Sequence, residues 1–116
     1  MTAVTVQIQW PVDLQALPAN ARARVTVEDV TRADEASVVL AESVLDELDV
    51  AQAPVVVVEV GDFDPAADLS VRVHVADGAR VGRDVEVGDL ISTQSHPVLT
   101  RGRGDSVVVP LRVVGS

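Results

Sequence analysis

Residues 16–42 read ALPANARARVTVEDVTRADEASVVLAE, and the fold class turns on how the two halves of this stretch are assigned. In the first half Ala23, Val25 and Val27 alternate with Arg22, Arg24, Thr26 and Glu28. Successive strand side chains point to opposite faces, so this is a strand with one buried face. Leu17-Pro18-Ala19-Asn20 turns the chain into it: Pro fixes φ, and Asn tolerates unusual backbone angles. Asp29 to Ala36 is a charged loop in which Asp29, Thr31 and Asp34 can bond nearby backbone groups. The second half opens a run from Ser37 to Val50 that two periods fit. Val38, Ala41, Leu45 and Leu48 keep helical spacing, and Leu40 and Val44 widen that stripe. The Val38-Val39 start and the plain strand that follows favour an extended chain. Pattern alone leaves both readings open.

Outward from this stretch the signals are strands. Val4, Val6, Ile8 and Trp10 alternate with Thr5, Gln7 and Gln9, and Pro11 ends the run. Pro54 to Val60 (PVVVVEV) is continuously apolar, as in a strand covered on both faces. Gly61-Asp62-Phe63-Asp64-Pro65 breaks it, and Asp64 before Pro65 predicts a capped turn. Leu69, Val71, Val73 and Val75 form the next strand, closed by an Asp77-Gly78 turn signal. Val81 to Val87, interrupted by Gly82 and followed by Gly88, reads as an edge or bulged strand. Leu90 to Gln94 leads into His96-Pro97-Val98-Leu99, and Arg101 to Asp105 is a loop. Val107, Val109, Leu111 and Val113 close the chain, with Pro110 predicting a free edge there. Seven or eight short strands at regular spacing predict one all-β domain over residues 1–116, an antiparallel β-sandwich of immunoglobulin-like type.

Composition narrows the function. The apolar share of 47% in 116 residues supports a core without staples. Aromatics are 2%, Trp10 and Phe63, too few for the stacking platforms that hold single-stranded nucleic acid. Net charge is −9, and all nine basic residues are Arg. Such a surface repels phosphate backbones and anionic lipid, so neither nucleic acid nor membrane insertion is expected. Cys is absent, which excludes disulfides, thiolate nucleophiles and Cys-based zinc sites. No basic n-region and apolar h-region precede Val4. A native start at Met1 therefore predicts a cytoplasmic protein; a trimmed chain would leave a periplasmic or exported mature domain open.

Candidate sites are sparse. Asp62, Asp64 and Asp68 place three carboxylates in one loop, a weak calcium candidate, because Ala66 and Ala67 stand where an EF-hand needs a ligand and a Gly. The ordinary reading is turn capping. Arg103-Gly104-Asp105 spells an adhesion tripeptide in an ordinary loop tip. His74 and His96 lack a second ligand at zinc spacing; His74 reads as solvated and His96 as a turn residue. Asp89, Ser92, Ser95 and His96 crowd one stretch without forming a triad or elbow motif. No catalytic residue and no cofactor site is assigned, and no activity is expected.

Four stretches together resemble the YbaY/YscW-type lipoprotein family, which includes type III secretion pilotins. They are the opening 16–42 stretch, with Leu17-Pro18, Asp29, Ala33-Asp34 and Val39-Leu40-Ala41; the Val58–Asp68 segment with Asp64-Pro65-Ala66; the Leu69–Val75 strand with Asp77-Gly78; and Pro97-Val98-Leu99-Thr100-Arg101-Gly102 before the closing strand. The resemblance spans about Val4 to Val114. It implies a compact β-sandwich without catalytic residues, and a strand over about Ser37–Leu45. It also implies a chaperone-like role, although the lipobox Cys of that family is absent here. The function expected is a non-enzymatic interaction domain that binds a protein by strand addition at an open sheet edge or in an apolar groove. The edges expected are the 80–87 and Pro110 strands. The alternatives are a homodimer through a sheet edge, and a small-molecule or calcium binder using the Asp62–Asp68 loop.

Overall fold

A computed structural model describes residues 2–32, 34–80 and 84–115. Among them are seven strands and no helix: β1 Thr2–Gln9, β2 Ala21–Asp29, β3 Val38–Leu45, β4 Val55–Val60, β5 Leu69–Asp77, β6 Leu90–Ser92 and β7 Ser106–Val113. The period-two residues of β1, β2 and β5 point inward together. Val4, Val6, Ile8, Val25, Val27, Val58, Val60, Val71, Val73 and Val75 are buried in one core with Leu69, Leu90, Val109 and Leu111. Valine fills it because its branched, stiff side chain fits a pleated surface without aromatic bulk.

The all-β class and the strand number agree with the sequence, but the strands do not form two separate sheets. One ladder runs β3-β2-β5-β6-β7-β1-β4 and curls until its two end strands approach each other, a nearly closed barrel. Nor is the ladder wholly antiparallel. β1 and β7 pair in parallel, Thr5 opposite Ser106 through Gln9 opposite Pro110. Alternation in a strand specifies which face is buried and not which neighbour it takes, so this pairing has no signature in the sequence.

The ambiguous 37–50 run is strand over Val38–Leu45. Its helical spacing has a local cause. The β2–β3 register shifts between Val27, opposite Ala41, and Glu28, opposite Val39, so Leu40 is the extra residue of a bulge. Leu40 thereby joins Ala41 and Leu45 against the core, and Leu48 packs there from the following loop.

Two edge expectations are corrected. Asp84–Val87 lies outside any strand, and Val81–Arg83 lies outside the described residues. Pro110 sits in β7, an interior strand between β6 and β1. Thr5 N donates to Asp105 O at 2.8 Å, and the alternation this bond sets turns the Pro110 nitrogen toward the β6 side. There β6 ends at Ser92, opposite Leu111, so the missing N–H breaks no pair.

Candidate functional site

The short β6 creates a broad recess. β5 pairs with β2 along all nine of its residues, but with β6 only at His74 and Val75. Beyond Ile91 the chain peels away from β5. Ser92 Oγ accepts the Val73 N–H at 3.0 Å, and His96 O accepts the Val71 N–H at 3.0 Å. The detour leaves a groove of about 650 Å³ lined by Glu28, Ser70, Arg72, His74, Ile91 and Thr93 among others. Glu28 is the buried acid of this groove, with its side chain 6% exposed. Its carboxylate accepts from Thr26 Oγ1 at 2.6 Å and from Ser37 Oγ, with Arg72 Nη1 at 3.8 Å. Every oxygen therefore has a partner within the chain, as a buried carboxylate requires.

Beside the groove, Asp89 gathers a second cluster. Its side chain is 4% exposed and lies 2.8 Å from His74 Nε2. Arg80 donates to it through Nη1 at 3.0 Å and Nη2 at 2.7 Å, and the Glu86 N–H donates at 3.0 Å. Burial pushes the Asp89 carboxyl up. The hydrogen bonds from Arg80, His74 and the Glu86 N–H, with the Arg80 charge, outweigh it and hold the group well below the usual carboxylate range. His74, expected to be solvated, is 14% exposed and carboxylate-bound.

The structure separates the residues that crowd together in sequence. Asp89 belongs to this cluster, Ser92 bonds the β5 backbone, and Ser95 Oγ lies 3.4 Å from Ser70 Oγ. The His96 N–H donates to Ser70 Oγ at 3.0 Å, and its ring is 8% exposed, a buried residue where a turn residue is expected. Burial holds His96 below its ordinary value, and among the described residues its Nε2 has no hydrogen-bond partner. No nucleophile–base pair results.

The acidic loop also disperses. Asp64 Oδ1 accepts the Ala66 N–H at 2.8 Å, capping the expected turn, and Asp68 Oδ1 lies 3.1 Å from Arg101 Nε. Among the described residues no group of three or more His, Cys, Asp or Glu side chains is placed to hold a metal. The Arg103–Asp105 tip is tied at its base, with the Leu99 N–H on Gly104 O at 2.9 Å. Sequence reasoning missed both Glu28 and the Arg80–His74–Asp89 cluster. Each lies where alternation predicts an outward side chain or a turn, and each is completed by a β5 side chain, Arg72 for Glu28 and His74 for Asp89, that only the folded sheet brings to it.

The opposite side of the barrel differs in chemistry. Along β4, β1 and β7 the outward rows are Val57–Thr5–Ser106 and Val55–Gln7–Val108, continued by Gln9–Pro110 and Ala3–Glu59. Apart from Glu59, and Arg112 further along β7, this face is uncharged, on a chain of net charge −9. Val55, Val57 and Val108 are at least half exposed. At its margin β4 meets β3 without a backbone ladder, and Ser43 Oγ donates to Val57 O at 3.0 Å across the gap. Trp10 Nε1 donates to Gln52 O at 2.8 Å and Asp49 O at 3.2 Å, anchoring the loop that joins these two strands.

Comparison with known proteins gives two findings. A family profile described as "Type III secretion system lipoprotein chaperone (YscW)" matches residues 1–111. Among solved structures the chain is similar to an alternative pilotin from the type II secretion system of Vibrio cholerae. The TM-score is 0.78 at 19% identity, over 99% of this chain and 98% of that one, which is a likeness of fold. No curated protein matches.

Proposed function

Because the chain belongs to the YscW family of secretion lipoprotein chaperones, we propose that it is a non-enzymatic, chaperone-like domain that binds a segment of another protein within a secretion assembly. The observation that carries this reading is the family match over residues 1–111, nearly the whole chain. The surface is in keeping with it. The polar groups of the β5 side are taken up internally, in the Glu28 and Asp89 clusters, whereas the β4–β1–β7 side offers a face charged only at Glu59 and Arg112, beside the unladdered edge of β4. A charge-depleted face with exposed valines set among neutral polar residues is in keeping with a recognition surface. The family description names a lipoprotein chaperone, so the exported setting fits this reading and the cytoplasmic expectation gains no support from it.

The test is recovery of the partner. The purified full chain, immobilised and exposed to envelope and soluble fractions of its source cell, is expected to retain one protein reproducibly and in comparable molar amount. Recovery of nothing, or only of further copies of this chain, overturns the reading.

A further inference from the structure

Charge on this chain is segregated. From residue 33 to residue 71 there are ten acids and no Arg or Lys. The run contains β3, the connecting loop, β4 and the turn that follows. Four of these acids have ion-pair partners: Glu35 with Arg32, Glu42 with Arg24, Asp46 with Arg22, and Asp68 with Arg101. Six remain without an ion pair among the described residues: Asp34, Glu47, Asp49, Glu59, Asp62 and Asp64. The two strands that border the β3–β4 gap, and the loop that joins them, therefore carry acids and no base of their own.

The backbone at this gap is set up for pairing. Ile8 N donates to Pro54 O at 2.9 Å, and Ile8 continues the β1–β4 register in which Val6 faces Val56 and Val4 faces Val58. Antiparallel pairs alternate in direction, so residues 54, 56, 58 and 60 spend their backbone groups on β1. Those of Val55, Val57 and Glu59 point into the gap. Following the ladder round from β4 to β3, the two strands run antiparallel to each other. They are consecutive strands of a hairpin that has splayed, bridged by the Ser43 side chain instead of a main-chain ladder. Nine residues separate them, which gives the connection slack. Inside the gap the partly buried Leu40, Ala41 and Leu45 of β3 lie against the core.

We propose that the β3–β4 gap receives an extended, basic segment of a protein partner as an eighth strand, paired to the outward backbone groups of Val55, Val57 and Glu59. This rests on the protein-binding reading above and names its site and the chemistry of its ligand. Main-chain bonds to β4 supply affinity in strand addition, and alternate side chains supply selectivity. Side chains turned inward meet Leu40, Ala41 and Leu45 and must be apolar. Those at the ends meet Glu47, Asp49, Glu59 and Asp62 and are Arg or Lys. Entry displaces the Ser43–Val57 bond and requires β3 and β4, now close enough for that one side chain to bridge them, to part by about one strand spacing, which the slack of the connecting loop permits.

The probe is a synthetic peptide of alternating Val and Thr flanked by Arg pairs, with a Glu-flanked twin as control. Trp10, the only Trp, reports from the loop that joins the two strands. At low salt the Arg peptide is expected to change Trp10 emission and to slow amide exchange at Val55, Val57 and Glu59. The Glu twin is expected to bind about tenfold more weakly, with the difference closing near 0.5 M salt. Val57→Pro removes one gap-facing N–H and no bond to β1, and is expected to abolish the protection. If that variant does not fold, Glu59→Lys decides: it should weaken the Arg peptide about fivefold and strengthen the Glu twin. Absence of binding at low salt overturns the proposal, as does protection confined to the β5 groove or to β1 and β7. Neither result touches the partner-recovery experiment, so this proposal can fail while the protein-binding reading stands.

Discussion

Asp89 holds Arg80, His74 and the Glu86 N–H at once. Asp89→Ala would leave a part-buried guanidinium without its main partner, and is expected to lower unfolding free energy by about 3 kcal/mol in urea titration. Asp89 and His96, two of the groups whose titration is shifted, also shape a pH profile. His96 lies below its ordinary 6.5 because burial disfavours the cation. The unfolded chain therefore takes up a proton that the folded chain resists, and stability falls as pH drops below about 6.5. Asp89 is depressed relative to 3.8, so its contribution is intact above that value and is lost at lower pH. Unfolding measured from pH 8 to pH 3 should decline in two stages, and His96→Gln should remove the first. Gly78 carries a third residue-level constraint. A Cβ there would stand 2.8 Å from Asn20 O, which also accepts the Gly78 N–H at 2.9 Å. Gly78→Ala is expected to cost about 1–3 kcal/mol by the same titration. In sequence, Asp77-Gly78 signalled a turn; the contact with Asn20 comes from the β2–β5 pairing and has no local sign.

Trp10 directly follows β1, yet its role is to hold the loop between β3 and β4. Trp10→Phe keeps the apolar contact and deletes both indole bonds. It should cost about 1 kcal/mol and speed amide exchange over residues 49–54. Elements were readable where one face is buried. β1, β2 and β5 alternate cleanly, and the capped turn at Asp64 carries its own chemistry. Reading failed where partners decide. The Leu40 bulge imitated a helical period, and Pro110 suggested an edge although β7 is interior. The end strand β4 looks central because PVVVVEV is apolar on both faces, although Val55 and Val57 are exposed. No candidate recess was legible either, since the groove exists only because β6 stops after three residues.

Over the whole molecule, 18 acids face nine bases. Most of the ion pairs are exposed enough to be worth little, so self-repulsion is the larger electrostatic effect. Raising salt from about 0.05 to about 0.5 M should therefore move the urea midpoint upward. One pairing governs how the whole is reached. Among the described residues, β7 is the only ladder connection between β3-β2-β5-β6 on one side and β1-β4 on the other. It meets β1 across about a hundred residues, Thr5 against Ser106. During synthesis β1 thus waits for β7. Until residues 106–113 emerge, β1 and the β2–β6 strands have no ladder to join them and the core stays open. Folding of this unit becomes a single late event, timed by the emergence of β7, and slow for its size because its decisive contact is so distant in sequence.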